Sequence, residues 1–302
     1  MSATVVPRLD DRPATVTGAF VEQPYHPHVA HRERLLDGPR WLPEPDGLPR
    51  LRIAADAMRR SIPAVRAALT RRGIARLDFD RCPSTTEFLD LGAALGTVME
   101  TEINAELRPY VEQRAVLNLR HDQPGTTRYD LALIAANYLN LHTEIAVHPL
   151  PKQPRLIALM CVEPPERDCG GQTVFVPMAA VRSRLSALDL DVLAATNCHD
   201  FPNGPPMFSR RNGLPVFCFR DFGGDVLRWR YTGPPAEVGP ETVRSAIGEL
   251  LAAMYDPAAM FGVHWAAGTV VIFDNWAFFH GRSRIRPVPG GRNRHFKQLK
   301  LR

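Results

Sequence analysis

Nowhere in the 302 residues does an apolar run approach the roughly 20 residues a helix needs to cross a bilayer. The expectation is a protein with no membrane partner. The N-terminus Met1-Ser2-Ala3-Thr4 also lacks the basic-then-apolar order of a secretory leader. Cysteine is scarce: Cys82, Cys161, Cys169, Cys198 and Cys218 are odd in number and form no CxxC. That argues against a disulfide framework and for reduced, mostly core thiols in a cytoplasmic protein. A strong excess of one sign of charge is lacking as well. Lys and Arg total 37 against 32 Asp and Glu, a net charge of +5, and the arginines are scattered. A solvated basic surface or an acidic small substrate accounts for this, so no nucleic-acid partner is expected. No repeat and no low-complexity linker interrupts the chain.

Proline, by contrast, is abundant: 28 residues, about twice the usual share of roughly 5%. Many loops and few long helices follow. Residues 1–50 read as an irregular N-terminal arm, and 51–302 as a single domain. His26, His28 and His31 cluster in the arm, but Pro24 and Pro27 interrupt them, which favours a surface arm over a ligand set. Ser61 before Ile62-Pro63 reads as a helix N-cap. Ile74 to Phe79 alternates like a half-buried strand. Ser84 to Glu87 is a capping box. Met178 to Leu188 reads as one short helix, and Pro240 to Tyr255 as a long amphipathic one. Short strands are expected at 115–120, 154–162, 173–176, 192–200, 214–219, 226–231, 263–265, 269–273 and 294–301. This pattern describes one mainly β domain with helical decoration rather than a βαβ sheet.

The chemistry centres on Asn140-Leu141-His142-Thr143-Glu144. In an extended segment, His142 and Glu144 share a face and Thr143 turns away. An imidazole and a carboxylate so placed make two-thirds of a facial metal site. His280, after Val270 to Trp276, is the candidate third ligand. Two imidazoles and one carboxylate leave half of an octahedron open, the arrangement of non-haem Fe(II) oxygenases. Arg294 follows His280 by 14 residues across Pro287-Val288-Pro289-Gly290-Gly291. That turn lets the two segments pair as a hairpin, bringing a guanidinium beside the metal to take a carboxylate in a bidentate pair. The Thr173 hydroxyl, after Gly170-Gly171-Gln172, can bond the same carboxylate. A dicarboxylate chelating iron at one end would be clamped at the other.

The series His142-Thr143-Glu144, Gly170-Gly171-Gln172-Thr173, His280-Gly281-Arg282 and Gly291-Arg292-Asn293-Arg294 resembles the taurine dioxygenase-like Fe(II)/2-oxoglutarate oxygenases. The Glu in place of Asp and the His-Gly-Arg are most similar to the clavaminate synthase-like branch. The resemblance covers roughly residues 60–302. It implies a double-stranded β-helix (jelly-roll) core and Fe(II) held by His142, Glu144 and His280. It also implies 2-oxoglutarate bound through Arg294 and Thr173, with O2 consumed and a substrate C–H oxidised, most often hydroxylated. Glu144 argues against halogenation, which needs a small residue there. The substrate implied is a small molecule, an amino acid or natural-product intermediate of secondary metabolism. Where the branch often shows Arg-x-Asp, this chain has Arg228-Trp229-Arg230, which points to an anionic substrate group. Asn140, Asn118 and Arg120 are further substrate candidates in this topology. Two other readings stay open: a zinc-type hydrolase or isomerase on the same ligands, and a catalytically silent jelly-roll binding protein. Homo-oligomer formation is open as well.

Overall fold

The computed structural model describes residues 14–38, 41–101, 105–120, 131–164, 169–233, 238–286 and 294–302. In chain order its strands are β1 (Ala14–Phe20), β2 (Arg50–Ile53), β3 (Ile74–Phe79), β4 (Val111–Glu112), β5 (Val116–Arg120), β6 (Leu139–His142), β7 (Leu156–Glu163), β8 (Thr173–Pro177), β9 (Thr196–Cys198), β10 (Phe208–Arg211), β11 (Leu214–Phe217), β12 (Leu227–Gly233), β13 (Phe261–Gly262), β14 (Thr269–Asp274), β15 (Phe278–Arg282) and β16 (His295–Leu301). The α-helices are α1 (Pro27–Arg32), α2 (Met58–Arg72), α3 (Thr85–Leu95), α4 (Met178–Arg184), α5 (Ala187–Ala194) and α6 (Pro240–Met254).

Two sheets carry the fold, a mainly β jelly roll with helices packed outside. The larger runs β2-β3-β14-β7-β16-β5-β4 and the smaller β13-β8-β15-β6. Only β2 and β3 pair in parallel within the larger sheet. Between the sheets lies an aromatic core that includes Phe175, Phe273, Phe278 and Phe296. Behind the larger sheet, α2 and α3 bury Val65, Phe88 and Leu91 against Leu299 and Leu301. Behind the smaller one, α4, α5 and α6 pack with β12 around Trp229, Ile247 and Leu250. No helix among the described residues is long and apolar enough to cross a membrane.

Local sequence explains much of this and misreads some of it. Ser84 caps α3 in a complete capping box. Ser61 is no cap: α2 begins at Met58, Pro63 sits inside its first turns, and the Ser61 hydroxyl donates to the Ala57 carbonyl. The expected helix at 178–188 is two helices, because Ser186 opens α5 with its own capping box on Asp189. Val192 lies in that helix, and the strand is confined to Thr196–Cys198. β3 is buried everywhere except Asp78, since β2 and β14 flank it and both faces are covered. The strand expected at 263–265 is instead Phe261–Gly262. Within the expected irregular arm, the described residues include β1, which pairs along β12, and α1. The expected hairpin of the His280 and Arg294 segments does not form. β15 belongs to the smaller sheet, while β16 runs between β7 and β5 in the larger. The segment joining them, 287–293, lies outside the described residues.

Candidate metal centre

β6 ends at His142, directly across from His280 in β15. Opposed residues of an antiparallel pair share a face, and here the two rings stand 4.3 Å apart, centroid to centroid. Glu144 lies past the end of the strand, so its placement needs other help. The fully buried Asn275 accepts the Glu144 N–H on Oδ1 at 2.8 Å and donates from Nδ2 to the Glu144 carbonyl at 3.1 Å. Ile145 then adopts φ +58°, a left-handed conformation costly for a β-branched residue. This turn brings the carboxylate back toward the imidazoles. Glu144 Oε2 lies 3.7 Å from His142 Nε2 and 3.8 Å from His280 Nε2. One ligand atom from each residue falls within 4.8 Å of the others, a spacing suited to a single metal ion.

The surroundings prepare these donors. His142 Nδ1 sits 2.7 Å from the Asn140 carbonyl. A proton there satisfies the carbonyl and leaves the Nε2 lone pair for the centre. Burial pushes the Glu144 carboxyl up, but the Lys300 ammonium, the His142 hydrogen bond and both imidazoles outweigh it and hold it well below the usual range. Burial, with His142 alongside, holds His280 well below its ordinary value, so it stays neutral and able to ligate.

Thr173 and Arg294 enter from opposite sheets, and both are buried. Gly170 and Gly171, at φ +69° and +76°, make the turn into β8. A Cβ on Gly170 would meet the Arg284 carbonyl at 2.1 Å, so no other residue fits. The Thr173 hydroxyl is buried with no hydrogen-bond partner among the described residues. The Arg294 guanidinium lies over the Phe296 ring, 3.6 Å from its centroid, inside the aromatic core. Burial lowers it to about 9, which leaves it charged at neutral pH. Its charge also reaches Arg282, which pairs across from Thr173. Buried polar groups are rarely left unmatched, and a carboxylate of the implied cosubstrate would match the Thr173 hydroxyl, with the buried Arg294 charge to complement it.

The other candidates lie elsewhere. Asn140 packs against the 221–223 turn, donating to the Asp221 carbonyl at 3.3 Å. Asn118 donates to Glu112 and the Tyr110 carbonyl, ties that belong to the larger sheet. Arg120 is exposed beside His295. Arg228 is exposed and paired with Asp200 at 3.0 Å. On β12 the inward residues are Leu227, Trp229 and Tyr231, so Arg228 and Arg230 alternate to the outer side. Neither lines the cavity at the triad.

That cavity holds about 390 Å³. His142, Glu144 and Arg220 line it together with apolar residues such as Leu133, Met207, Phe219 and Leu227. A larger open groove of about 670 Å³, between β1 and α6, contains none of the triad. Arg220 is the residue that sequence reading overlooked. It bridges directly opposite His142, and its charge depresses His280. Asp221, next in the chain, is locked by Arg32 and by the Tyr255 hydroxyl at 2.6 Å. No local motif marks Arg220, because its position comes from a loop pairing with β6.

A jelly roll with two imidazoles and one carboxylate converging at a cavity defines a non-haem iron oxygenase class. The sequence matches the family described as taurine catabolism dioxygenase TauD, TfdA family over residues 50–299, and the chain belongs to it. It is an oxidoreductase dependent on Fe(II), 2-oxoglutarate and O2. No curated relative matches the chain by sequence. Among solved structures it is similar to PvcB, an Fe, alpha-ketoglutarate dependent oxygenase from an isonitrile synthetic pathway, from Pseudomonas aeruginosa. The identity is 17%, the TM-score 0.59, and 99% of this chain and 95% of that one are covered. It is also similar to asparagine oxygenase (17%, TM-score 0.56, 82% and 79% covered). A taurine dioxygenase from Burkholderia xenovorans is likewise similar (16%, TM-score 0.57, 87% and 89% covered). At these identities the likeness concerns the fold.

Proposed function

We propose that His142, Glu144 and His280 hold Fe(II), that Arg294 and Thr173 take the far carboxylate of 2-oxoglutarate, and that the enzyme hydroxylates a C–H bond of a small molecule seated in the 390 Å³ cavity. The observation that carries this reading is the convergence of two imidazoles and one carboxylate, with His142 and Glu144 on the wall of that cavity. Bound iron with 2-oxoglutarate and O2 supplies the oxidising power, the keto acid leaving as succinate and CO2.

The protein's own residues bind, orient and exclude water. His142 is turned by the Asn140 carbonyl so that Nε2 faces the centre. Asn275 and the Ile145 turn set the main chain that presents Glu144. The Thr173 O–H donates to a carboxylate oxygen, and Arg294 supplies the matching charge in a water-poor interior where such pairs are strong. Phe175 and Phe273 pack against each other beneath His280 and keep water from the ligand's rear. Both Arg294 and Thr173 would have no task in a zinc hydrolase on the same ligands.

The cavity walls favour a substrate with an apolar body. Arg220 opposite His142 suits an anionic group on it, the role the sequence pattern assigned to Arg228 and Arg230. Hydroxylation is the favoured outcome, in keeping with the 3-hydroxyasparagine bound to the similar asparagine oxygenase. The five free thiols suit a cytoplasmic setting. The test is spectroscopic. Adding Fe(II) and then 2-oxoglutarate to the protein without oxygen should give a weak visible charge-transfer band. Absence of the band, together with no 2-oxoglutarate consumption in air, would overturn the reading.

A further inference from the structure

The two oxygens of Glu144 have different neighbours. Oε2 faces the imidazoles of His142 and His280 at 3.7 and 3.8 Å. Oε1 meets the Lys300 ammonium at 2.6 Å. We propose that Lys300 is a positioning residue: by occupying Oε1 it confines Glu144 to single-oxygen ligation and keeps open the coordination position that a chelating carboxylate would fill. This rests on the triad being the iron site.

The need for such a residue follows from Glu144 itself. A glutamate has one more rotatable bond than an aspartate, so its carboxylate is less fixed by its backbone. Asn275 and the Ile145 turn hold the Glu144 main chain but do not touch its carboxylate. Lys300 does, and it comes from the facing sheet, on β16. Its side chain and that of Glu144 are 14% and 12% exposed, so the pair is little screened by salt. Stability is a weak account of the contact, because a buried ion pair often does no better than apolar residues of the same size. A chelating cosubstrate and O2 both need vacant positions, and a two-oxygen carboxylate would remove one of them.

The inner face of β16 also carries Arg294 just before its first residue, six residues from Lys300, roughly 20 Å along an extended chain at ~3.4 Å per residue. Both side chains are long and turn inward, Arg294 over Phe296 and Lys300 onto Glu144. One strand thus supplies the residue that orders the iron ligand and the residue proposed to anchor the far end of the cosubstrate.

A lysine acting only through charge would behave in the opposite way. Its positive charge repels an incoming cation, so its loss would tighten metal binding. A positioning role predicts weaker binding instead, since the carboxylate loses its set orientation. The two roles therefore differ in sign.

The experiment compares wild type with Lys300→Met and Lys300→Arg. Co(II) is titrated into each folded protein, and affinity and the visible d–d spectrum are recorded, followed by 2-oxoglutarate binding to the Co(II)-loaded forms. The expected result is Co(II) affinity about tenfold weaker in Lys300→Met, at the lower end of effects seen for groups that orient metal ligands. Its d–d spectrum should change and its 2-oxoglutarate affinity fall, with Lys300→Arg returning all three toward wild type. Tighter Co(II) binding in Lys300→Met overturns the proposal in favour of charge alone. An unchanged affinity and spectrum with a lowered melting temperature overturns it in favour of simple neutralisation. If Lys300→Met does not fold, Lys300→Gln carries the same comparison. Failure of wild type to give the Fe(II)–2-oxoglutarate band would count against the proposed function instead, because the Lys300 measurement is read first with Co(II) alone.

Discussion

The two faces of β16 do different work. Outward, Leu299 and Leu301 are fully buried against α2 and α3. The helices approach so closely that a Cβ on Gly92 would lie 2.3 Å from Leu299. Inward, the same strand presents Lys300, with Arg294 just before it, both charged and set among aromatic rings or against a carboxylate. Period-2 alternation separates them: one face gains stability from apolar burial, while the other holds charges whose desolvation costs stability and whose value is chemical. Substitutions on the two faces should therefore separate stability from activity.

The sharpest break is at the ligands. His280→Ala or Glu144→Ala should cut 2-oxoglutarate turnover by at least about 10³-fold. The melting temperature should stay near wild type in His280→Ala and fall in Glu144→Ala, which strands the buried Lys300 ammonium (turnover and calorimetry on the same preparations). Next, Arg294→Ala should weaken 2-oxoglutarate binding by about 10²-fold, roughly 3 kcal/mol. Arg284→Ala should change it less than about twofold, because Arg284 pairs with Asp37 rather than facing the interior. Equal losses from the two variants, measured by titration of the charge-transfer band, would mean the wrong arginine has been assigned. On the outer face, Leu299→Ala should cost at least about 2 kcal/mol by denaturant unfolding, with iron affinity of the folded protein retained. Weakened iron binding there would break the separation of the two faces.

The smallest effect concerns pH. Burial raises the Glu22 carboxyl, but hydrogen bonds from His28 and Arg32 outweigh it and hold it at about 2, below an ordinary value of 4.5. A depressed carboxylate adds stability that is fully present above about 4.5 and is lost as pH falls toward 2. Thermal melts of wild type should decline across that window, and Glu22→Gln should flatten the decline. Arg32 joins Glu22 to Asp221 beside Arg220, so near-ultraviolet signals from the cavity wall should report the same transition.

Much of the site was legible in the chain. His142, Glu144 and His280 stood out as ligand types, and the glycines before Gln172-Thr173 marked a turn that excludes side chains. The capping box at Ser84 and the apolar spacing of α6 identified real helices. Other signals misled. Pro63 suggested a helix start at Ser61, yet the helix begins at Met58 and runs on through the proline, which lies inside it. The Pro/Gly-rich stretch after His280 suggested a hairpin, yet its flanking strands join different sheets.

The Arg228-Trp229-Arg230 pattern shows where local reading stops. Alternation correctly implies that both arginines share a face, and Trp229 lies buried on the other. It cannot say which face meets the cavity. That depends on β12 pairing with β1 and β9, and on long-range register. The same limit hid Arg220 and Lys300, one brought opposite His142 by a loop and the other carried to Glu144 by the facing sheet. Residue types and the order of short motifs thus suggest the proposed donor set and clamp, and period-2 patterning gives the mainly β character, a property of near neighbours. The division of Glu144 between two imidazoles and an ammonium, and the placing of a guanidinium in an apolar cavity, arise only when distant strands pack, since no short-range pattern encodes which surfaces will meet.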